Sequence, residues 1–180
     1  DRQGARLATS TLISHGAKKI AMFSGLLDSI PMSNRMFGYQ LALSDAKLPF
    51  DPSLLYIGDW SIDSGYKLAS EMIKNGKIPD AIFSQNDEMA AGICQAFAKH
   101  GISIPNEVEI IGFDDKELAE YTFPPLSTVR PPLQKLGFEA AKMILELQSD
   151  ASKAMRNDKP VNIYLPCELI ERGTTKKQSK

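Results

Sequence analysis

Short apolar runs alternate with longer amphipathic segments over the first 115 residues of the chain. The runs with strand character are Lys19-Ile20-Ala21-Met22-Phe23, Leu54-Leu55-Tyr56-Ile57, Ala81-Ile82-Phe83, and Val108 to Phe113. These runs are continuously apolar rather than alternating, which is typical of parallel strands that are buried on both faces. The pattern therefore predicts an α/β fold.

The segments between these strands repeat their apolar positions with the spacing of a helix. The clearest example begins at Ser61, which suits an N-cap, and ends before Gly76, which suits the end of a helix. The predicted helices cover residues 1–14, 35–46, 61–75 and 87–100. Strands and helices that alternate at this spacing form βαβ units, so we expect a doubly wound parallel sheet with helices on both faces.

The pattern changes after Asp115. Pro124 and Pro125 exclude the segment around them from a helix and from a central strand. The segment from Leu126 to Pro132 is expected to be an extended connector, and a helix is predicted from Leu133 to about Gln148. A polar loop should span Ser149 to Lys159, and a last strand is predicted from the alternation of Val161, Ile163 and Leu165.

Polar side chains gather where the predicted strands end. In an open parallel sheet, ligands bind in the crevice beyond the carboxyl ends of the strands. The residues that follow the four strands are Ser24 and Gly25; Gly58, Asp59 and Trp60; Ser84, Gln85, Asn86 and Asp87; and Asp114 and Asp115. Arg35 follows the loop after the first strand. We therefore expect an indole, a guanidinium, an amide and carboxylates to share one edge of the sheet.

This set of side chains suits a polyol. The flat face of Trp60 can pack against the C–H face of a sugar, while Arg35 donates and Asp114 accepts hydrogen bonds. Other interpretations remain open for each residue. Arg35 fits a surface ion pair, Trp60 fits a core or hinge position, and Asn86 fits a turn before its helix. Asp87 and Asp115 fit helix caps or solvated groups as well as ligand contacts.

The sequence predicts a protein that is not an enzyme and that needs no cofactor. Its two histidines, His15 and His100, each precede a glycine at a predicted helix end, far from the polar edge. No phosphate loop, nucleophile elbow or metal-spaced Cys/His set is present. The rival hypothesis for the acids is an Mg²⁺ site, made by Asp87, Asp114 and Asp115, in a phosphotransfer receiver or hydrolase.

Composition narrows the function further. The net charge of −1 argues against direct binding of nucleic acid, and the basic tail from Thr174 to Lys180 is expected to be a solvated end. Cys94 and Cys167 are expected to be buried free thiols, which fits a reducing compartment. No apolar run is long enough to span a membrane. The chain opens on Asp1 rather than Met, which leaves open a missing leading segment.

Several motifs together resemble the effector-binding core of the LacI/GalR family of bacterial transcriptional repressors. They are Gly4-Ala5-Arg6-Leu7-Ala8-Thr9 with Lys19-Ile20-Ala21, Arg35-Met36-Phe37-Gly38-Tyr39, Gly58-Asp59-Trp60-Ser61 with Ser64-Gly65-Tyr66, Asn86-Asp87-Glu88-Met89-Ala90, Ile104-Pro105, Ile111-Gly112-Phe113-Asp114-Asp115, and Pro124-Pro125-Leu126-Ser127-Thr128-Val129. The resemblance covers nearly the whole chain. One departure is Ser14-His15-Gly16-Ala17, where the family usually has Gly then His.

The resemblance implies a two-lobed core like that of periplasmic sugar-binding proteins, with effector between the lobes. Residues 1–125 and 160–175 would form the C-terminal lobe, residues 126–150 would belong to a largely absent N-terminal lobe, and residues 176–180 would be a flexible tail. The helix-turn-helix DNA-binding module would be absent from this chain. The matching motifs imply that Arg35, Trp60, Asn86 and Asp114 line the effector pocket and that Leu133 approaches it.

The resemblance also implies partners and a location. We expect a small sugar-like effector, operator DNA bound through the missing module, a homodimer, no membrane partner, and a cytoplasmic protein. Because this chain would supply only one side of the cleft between the lobes, it should bind sugar weakly or undetectably on its own. The alternative is a periplasmic or extracellular sugar-binding receptor of the same architecture, but the ending Cys167-Glu168-Leu169-Ile170-Glu171-Arg172-Gly173-Thr174 resembles the repressor branch.

Overall fold

A computed structural model of the chain describes residues 1–26, 29–148 and 162–176. The strands are β1 Ile20–Ser24, β2 Leu55–Ile57, β3 Ala81–Ser84, β4 Glu109–Phe113, β5 Ser127–Arg130 and β6 Glu168–Ile170. The helices are α1 Arg2–Ser14, α2 Ile30–Asp45, α3 Ile62–Lys74, α4 Asp87–Lys99, α5 Leu118–Tyr121 and α6 Leu133–Gln148, with a 3-10 turn at Pro52–Leu54.

The strands form one sheet in the order β2-β1-β3-β4-β5-β6. Each neighbouring pair from β2 to β5 is parallel, and β6 runs antiparallel to β5. The crossovers in this order place α1 and α2 on one face of the sheet and α3 and α4 on the other. The predicted doubly wound α/β fold is confirmed.

Alternate residues of each central strand supply two separate cores. Phe23, Ile82 and Ile110 pack with α3 and α4, through buried residues such as Met72 and Phe97. The other core packs against α1 and α2 and contains Ile20, Met22, Phe83, Ile111, Phe113, Leu12 and Tyr39. Burial on both faces explains why β1, β3 and β4 read as unbroken apolar runs.

The predicted boundaries hold for the first four strands and fail at three other places. Helix α2 begins at Ile30 rather than Arg35, because Pro31 occupies the first turn, where a proline loses no hydrogen bond. The predicted connector contains β5, which pairs with β4. The predicted last strand is wrong, since residues 162–167 are not in a strand and β6 begins at Glu168. Val161 and the loop from Ser149 to Lys159 lie outside the described residues.

The segment after β6 is part of the core rather than a solvated end. Thr174 and Thr175 are buried, which corrects the expectation for the start of the tail. The Thr174 hydroxyl donates to the Ile110 carbonyl at 2.7 Å and accepts from the Ser127 amide at 2.8 Å. One side chain thus joins β4 to β5. Residues 177–180 of the predicted flexible tail lie outside the described residues.

Both cysteines are free thiols, as expected. Cys94 is buried in α4, and burial raises the pKa of its thiol to about 12. Cys167 is only partly buried, which corrects the expectation that both would be inaccessible. Among the described residues, no helix combines the length and the apolar character that a membrane crossing needs.

Candidate functional site

A hollow of about 270 Å³ lies beyond the carboxyl ends of β1, β3 and β4. Its lining comes from the start of α2, the turn before α3, the start of α4 and the end of β4. The lining residues are Ser29, Pro31, Met32, Arg35, Trp60, Asn86, Glu88, Asp114 and Lys116. Four of the five predicted ligand-binding residues therefore share one concave surface, although their role in binding remains a prediction.

Arg35 is held in a fixed orientation at the floor of the hollow. Its Nη2 donates to Asp114 Oδ1 at 3.1 Å and its Nε donates to Asp1 Oδ1 at 2.9 Å. Its Nη1 donates to the Gln85 carbonyl, and its guanidinium lies 3.7 Å from the centroid of the Phe113 ring. Burial lowers the pKa of Arg35, and the charge of Asp114 opposes that effect. Arg35 is thus not the exposed surface ion pair that the sequence left open.

Trp60 forms one wall of the hollow from a strained backbone. Its φ of +74° is in the left-handed region, which costs a non-glycine residue about 1 kcal/mol or more. The indole lies so close to Gly25 that a Cβ at residue 25 would come within 2.0 Å of Trp60 Cε2. The Trp60 carbonyl accepts from Asn86 Nδ2 at 2.9 Å. Gly25 thus packs against the indole, while Asn86 holds the backbone of Trp60.

Asn86, rather than Asp87, is the N-cap of α4. Its Oδ1 accepts from the Met89 amide at 3.1 Å, and its Nδ2 donates both to Trp60 and to Glu88 Oε2 at 2.9 Å. Glu88 also pairs with the ammonium of Lys116, which raises the pKa of Lys116. Glu88 and Lys116 line the hollow and were missed in the sequence analysis, because charged residues in a helix start and in a loop give no local signal of a site.

The two adjacent acids after β4 have different roles. Asp114 and Asp115 both have positive φ values, +105° and +52°, which turn the chain sharply at the end of the strand. Asp114 contacts Arg35 in the hollow, and burial raises its pKa against the opposing charge of Arg35. The Asp115 side chain is only 7% exposed and pairs with Arg130 and Arg172. Burial acts to raise the pKa of Asp115, but the hydrogen bonds from these arginines outweigh it and lower the pKa.

Asp87 is fully buried behind the hollow and supports the turn after β4. Its Oδ1 accepts from the Thr128 hydroxyl at 2.6 Å and its Oδ2 accepts from the Lys116 amide at 2.8 Å. Burial raises the pKa of Asp87 to about 7, although these two hydrogen bonds act in the opposite direction. Asp87 therefore ties the start of α4 to β5 and to the residue that follows Asp115.

Leu133 is not among the residues that line the hollow. It begins α6 and is 65% exposed. Its predicted approach to a ligand from the connector helix therefore remains a prediction. Leu136, Phe138, Ile144 and Leu145 of the same helix are also exposed, so α6 presents apolar side chains that this sheet does not cover.

Neither histidine lies at the hollow. His15 Nδ1 contacts Glu109 Oε2 at 2.7 Å at the opposite edge of the sheet, and both side chains are nearly inaccessible to solvent. His100 ends α4, where its Nδ1 contacts the Ala96 carbonyl at 2.8 Å. Within the part of the chain that the structure describes, no three His, Cys, Asp or Glu side chains are grouped to hold a metal ion.

Comparison with known proteins identifies the family. The model of a family described as a periplasmic binding protein-like domain matches residues 9–175. The chain belongs to this family. The proteins that it matches in sequence include transcriptional repressors. The HTH-type transcriptional repressor PurR of Vibrio atlanticus strain LGP32 is 37% identical over 174 residues, which are 97% of the chain and 51% of that repressor.

Solved structures of LacI-type members of this periplasmic binding protein-like family have the same fold. The lac repressor dimer bound to operator and the anti-inducer ONPF matches with a TM-score of 0.85 at 29% identity, over 97% of the chain and 58% of the repressor chain. The complex of the transcriptional regulator CelR with cellobiose matches with a TM-score of 0.84 at 29% identity, over 96% of the chain and 51% of that regulator. The chain thus has the fold of these regulators and spans about half the length of these relatives.

Proposed function

We propose that the chain is the C-terminal lobe of the effector-binding core of a LacI/GalR-type transcriptional regulator, and that it binds a small sugar-like molecule. The observation that carries this proposal is the hollow that Trp60, Arg35 and Asp114 line together. An aromatic wall beside fixed donors and acceptors suits a polyol, whose hydroxyls both donate and accept. The cellobiose complex of CelR supports a sugar in a relative of this fold.

The ligand would bind between two lobes, of which this chain supplies one. The exposed apolar side chains of α6 support a second lobe that covers the helix. We assign residues 133–148 to that lobe, whereas Ser127–Arg130 stays with the sheet of this one. The hollow is open to solvent, while a closed site buries most of a small ligand. The isolated chain should therefore bind sugar weakly or not at all.

Effector binding would change the affinity for DNA because the two binding equilibria are thermodynamically linked. A ligand that binds closed lobes better than open lobes shifts the population of the two states and moves DNA-binding modules that are joined to them. The match to PurR supports an HTH-type module in the longer protein. Relatives that are named as repressors support a regulator over an extracellular receptor and over an enzyme, and they support a cytoplasmic location.

A second copy of the chain would pack on the face of α4 that turns away from the sheet. That face borders a hollow of about 390 Å³ lined by Ile62, Ala91, Cys94, Gln95, Ala98, Leu118, Tyr121, Thr122 and Phe123. Tyr121 is 77% exposed and Phe123 is 90% exposed, which is unusual for large apolar side chains outside an interface. The lac repressor, which matches this chain in fold, is a dimer, and this supports a dimer here.

Two measurements test the proposal. A thermal-shift panel of sugars, sugar phosphates and purines on the full-length gene product should find a stabilising neutral sugar, and Trp60→Ala or Asp114→Asn should abolish the shift. A full-length protein on which every sugar has no effect would contradict the sugar-sensor proposal. Calorimetry on the isolated chain should detect no tight sugar binding. Micromolar affinity would contradict the proposal that this chain supplies only one side of the ligand site.

A further inference from the structure

An ion pair between Glu88 and Lys116 forms part of the lining of the hollow. The Glu88 carboxylate contacts the ammonium of Lys116 through Oε1 and accepts from Asn86 Nδ2 through Oε2. Glu88 is fixed on the first turn of α4, where the helix dipole favours a negative charge. The Glu88 side chain is 25% exposed and that of Lys116 is 49% exposed, so both can contact a ligand that enters the hollow.

The hydrogen bonds of Asn86 leave Glu88 and Lys116 as the available groups on this side of the hollow. Both N–H groups of the Asn86 amide are already used, by the Trp60 carbonyl and by Glu88. A ligand near α4 therefore meets the lone pairs of Glu88 and the remaining N–H groups of Lys116. A hydroxyl can bond to either partner without separating the pair, because it both donates and accepts.

The charged side chains that line the hollow balance, with two cations, Arg35 and Lys116, and two carboxylates, Glu88 and Asp114. Arg35 contacts two carboxylates, Asp1 and Asp114, and Lys116 contacts a third, Glu88. The two cations that could attract an anion are thus already neutralised at hydrogen-bond distance. An anion in the hollow would also lie within a few ångströms of Glu88 and Asp114, and like charges at such distances repel strongly in a partly desolvated site.

We propose that Glu88 sets the charge selectivity of the hollow, so that it admits neutral polyhydroxyl ligands and excludes phosphorylated or carboxylated ones. The proposal rests on the proposed function of the hollow as the effector site. Glu88 acts in two ways: it repels an entering anion directly, and it occupies Lys116, which would otherwise receive the anion. Removal of the carboxylate alone should therefore convert the hollow into an anion site.

The test uses the 180-residue chain with inorganic phosphate as the probe. Trp60 is the only tryptophan, so the NMR signal of its indole N–H reports directly on the hollow and detects weak binding. Glu88→Gln, which keeps the shape of the side chain, should bind phosphate about tenfold more tightly than the wild-type chain, because it removes one like-charge contact from a partly desolvated site.

Two further variants separate this effect from a general change in charge. Glu71→Gln, on an exposed position of α3, changes the net charge equally and should leave phosphate binding at the wild-type level. In the double variant Glu88→Gln with Lys116→Gln, the gain should disappear. Circular dichroism checks that each variant is folded.

The inference is overturned if Glu88→Gln gains no affinity for phosphate, whether because the wild-type chain already binds it or because neither protein does. It is also overturned if the gain persists without Lys116. Neither of these outcomes contradicts the sensor proposal, because a hollow that does not exclude anions could still bind a charged sugar as its effector. The sensor proposal fails instead when no sugar of any charge stabilises the full-length protein.

Discussion

The position of Trp60 can be tested by a single methyl group at Gly25. In Gly25→Ala the new Cβ would lie 2.0 Å from Cε2 and 2.5 Å from Nε1 of the indole. The φ of Gly25 is not positive, so alanine introduces no backbone strain of its own. The ring must therefore move by more than an ångström to reach an ordinary contact, and overpacking of this kind typically costs about 1–3 kcal/mol.

The same variant has two independent readouts. In a domain of this size each kcal/mol lowers Tm by roughly 2–4 °C, so thermal denaturation should detect the loss. The displaced indole should also change the emission maximum of the chain, since Trp60 is the only tryptophan. In the full-length protein, Gly25→Ala should weaken ligand binding, because the wall of the hollow would be displaced.

Gly137→Ala is the matched control. A Cβ at residue 137 would meet no atom within 4 Å, and the residue lies inside α6. Alanine there should keep the emission unchanged and should slightly favour the helix, by up to about 1 kcal/mol. If Gly25→Ala leaves both Tm and emission as in the wild type, the indole does not pack on Gly25, and the geometry described for the hollow is wrong.

Three further perturbations test the surroundings of the site. The pKa of Asp87 is 3.8 in the unfolded chain and about 7 in the folded one, so the folded state retains its proton to higher pH. The free energy of unfolding, measured by urea denaturation, should therefore fall as the pH rises between these values. Asp87→Asn should remove that fall, and a variant with the same pH profile as the wild type would contradict the assignment to Asp87. Tyr39→Phe loses the buried bond to the Ile20 carbonyl and should cost about 1–3 kcal/mol in the same assay, where no loss would refute the contact. Arg172→Leu should raise the pKa of Asp115, measured by NMR titration, and a constant value would exclude Arg172 as its cause.

The strands could be predicted from the sequence wherever they are buried on both faces of the sheet. Strands β1, β3 and β4 are covered on both faces, so their apolar runs could be recognised without any knowledge of their neighbours. Strand β5 was missed because Ser127 and Thr128 are polar and prolines flank the segment. Its burial depends on side chains far away in sequence, such as Thr174, which no local pattern reveals.

The candidate site was predictable only as far as topology places residues at one edge of the sheet. Arg35, Trp60, Asn86 and Asp114 follow strands or begin helices there, and the structure groups them. Glu88 and Lys116 could not be found in this way, because their pairing depends on the turn that Asp114 and Asp115 make. The partnership of His15 with Glu109, 94 residues apart, likewise has no local signature.

The bridge that Thr174 makes between β4 and β5 has a consequence for synthesis. The chain is made from its N-terminus, so a nascent chain that stops short of residue 174 leaves the Ile110 carbonyl and the Ser127 amide without this partner. Both groups are buried in the finished sheet, and an unpaired buried polar group is costly. Thr174 must therefore leave the ribosome before this edge of the sheet can close fully during synthesis.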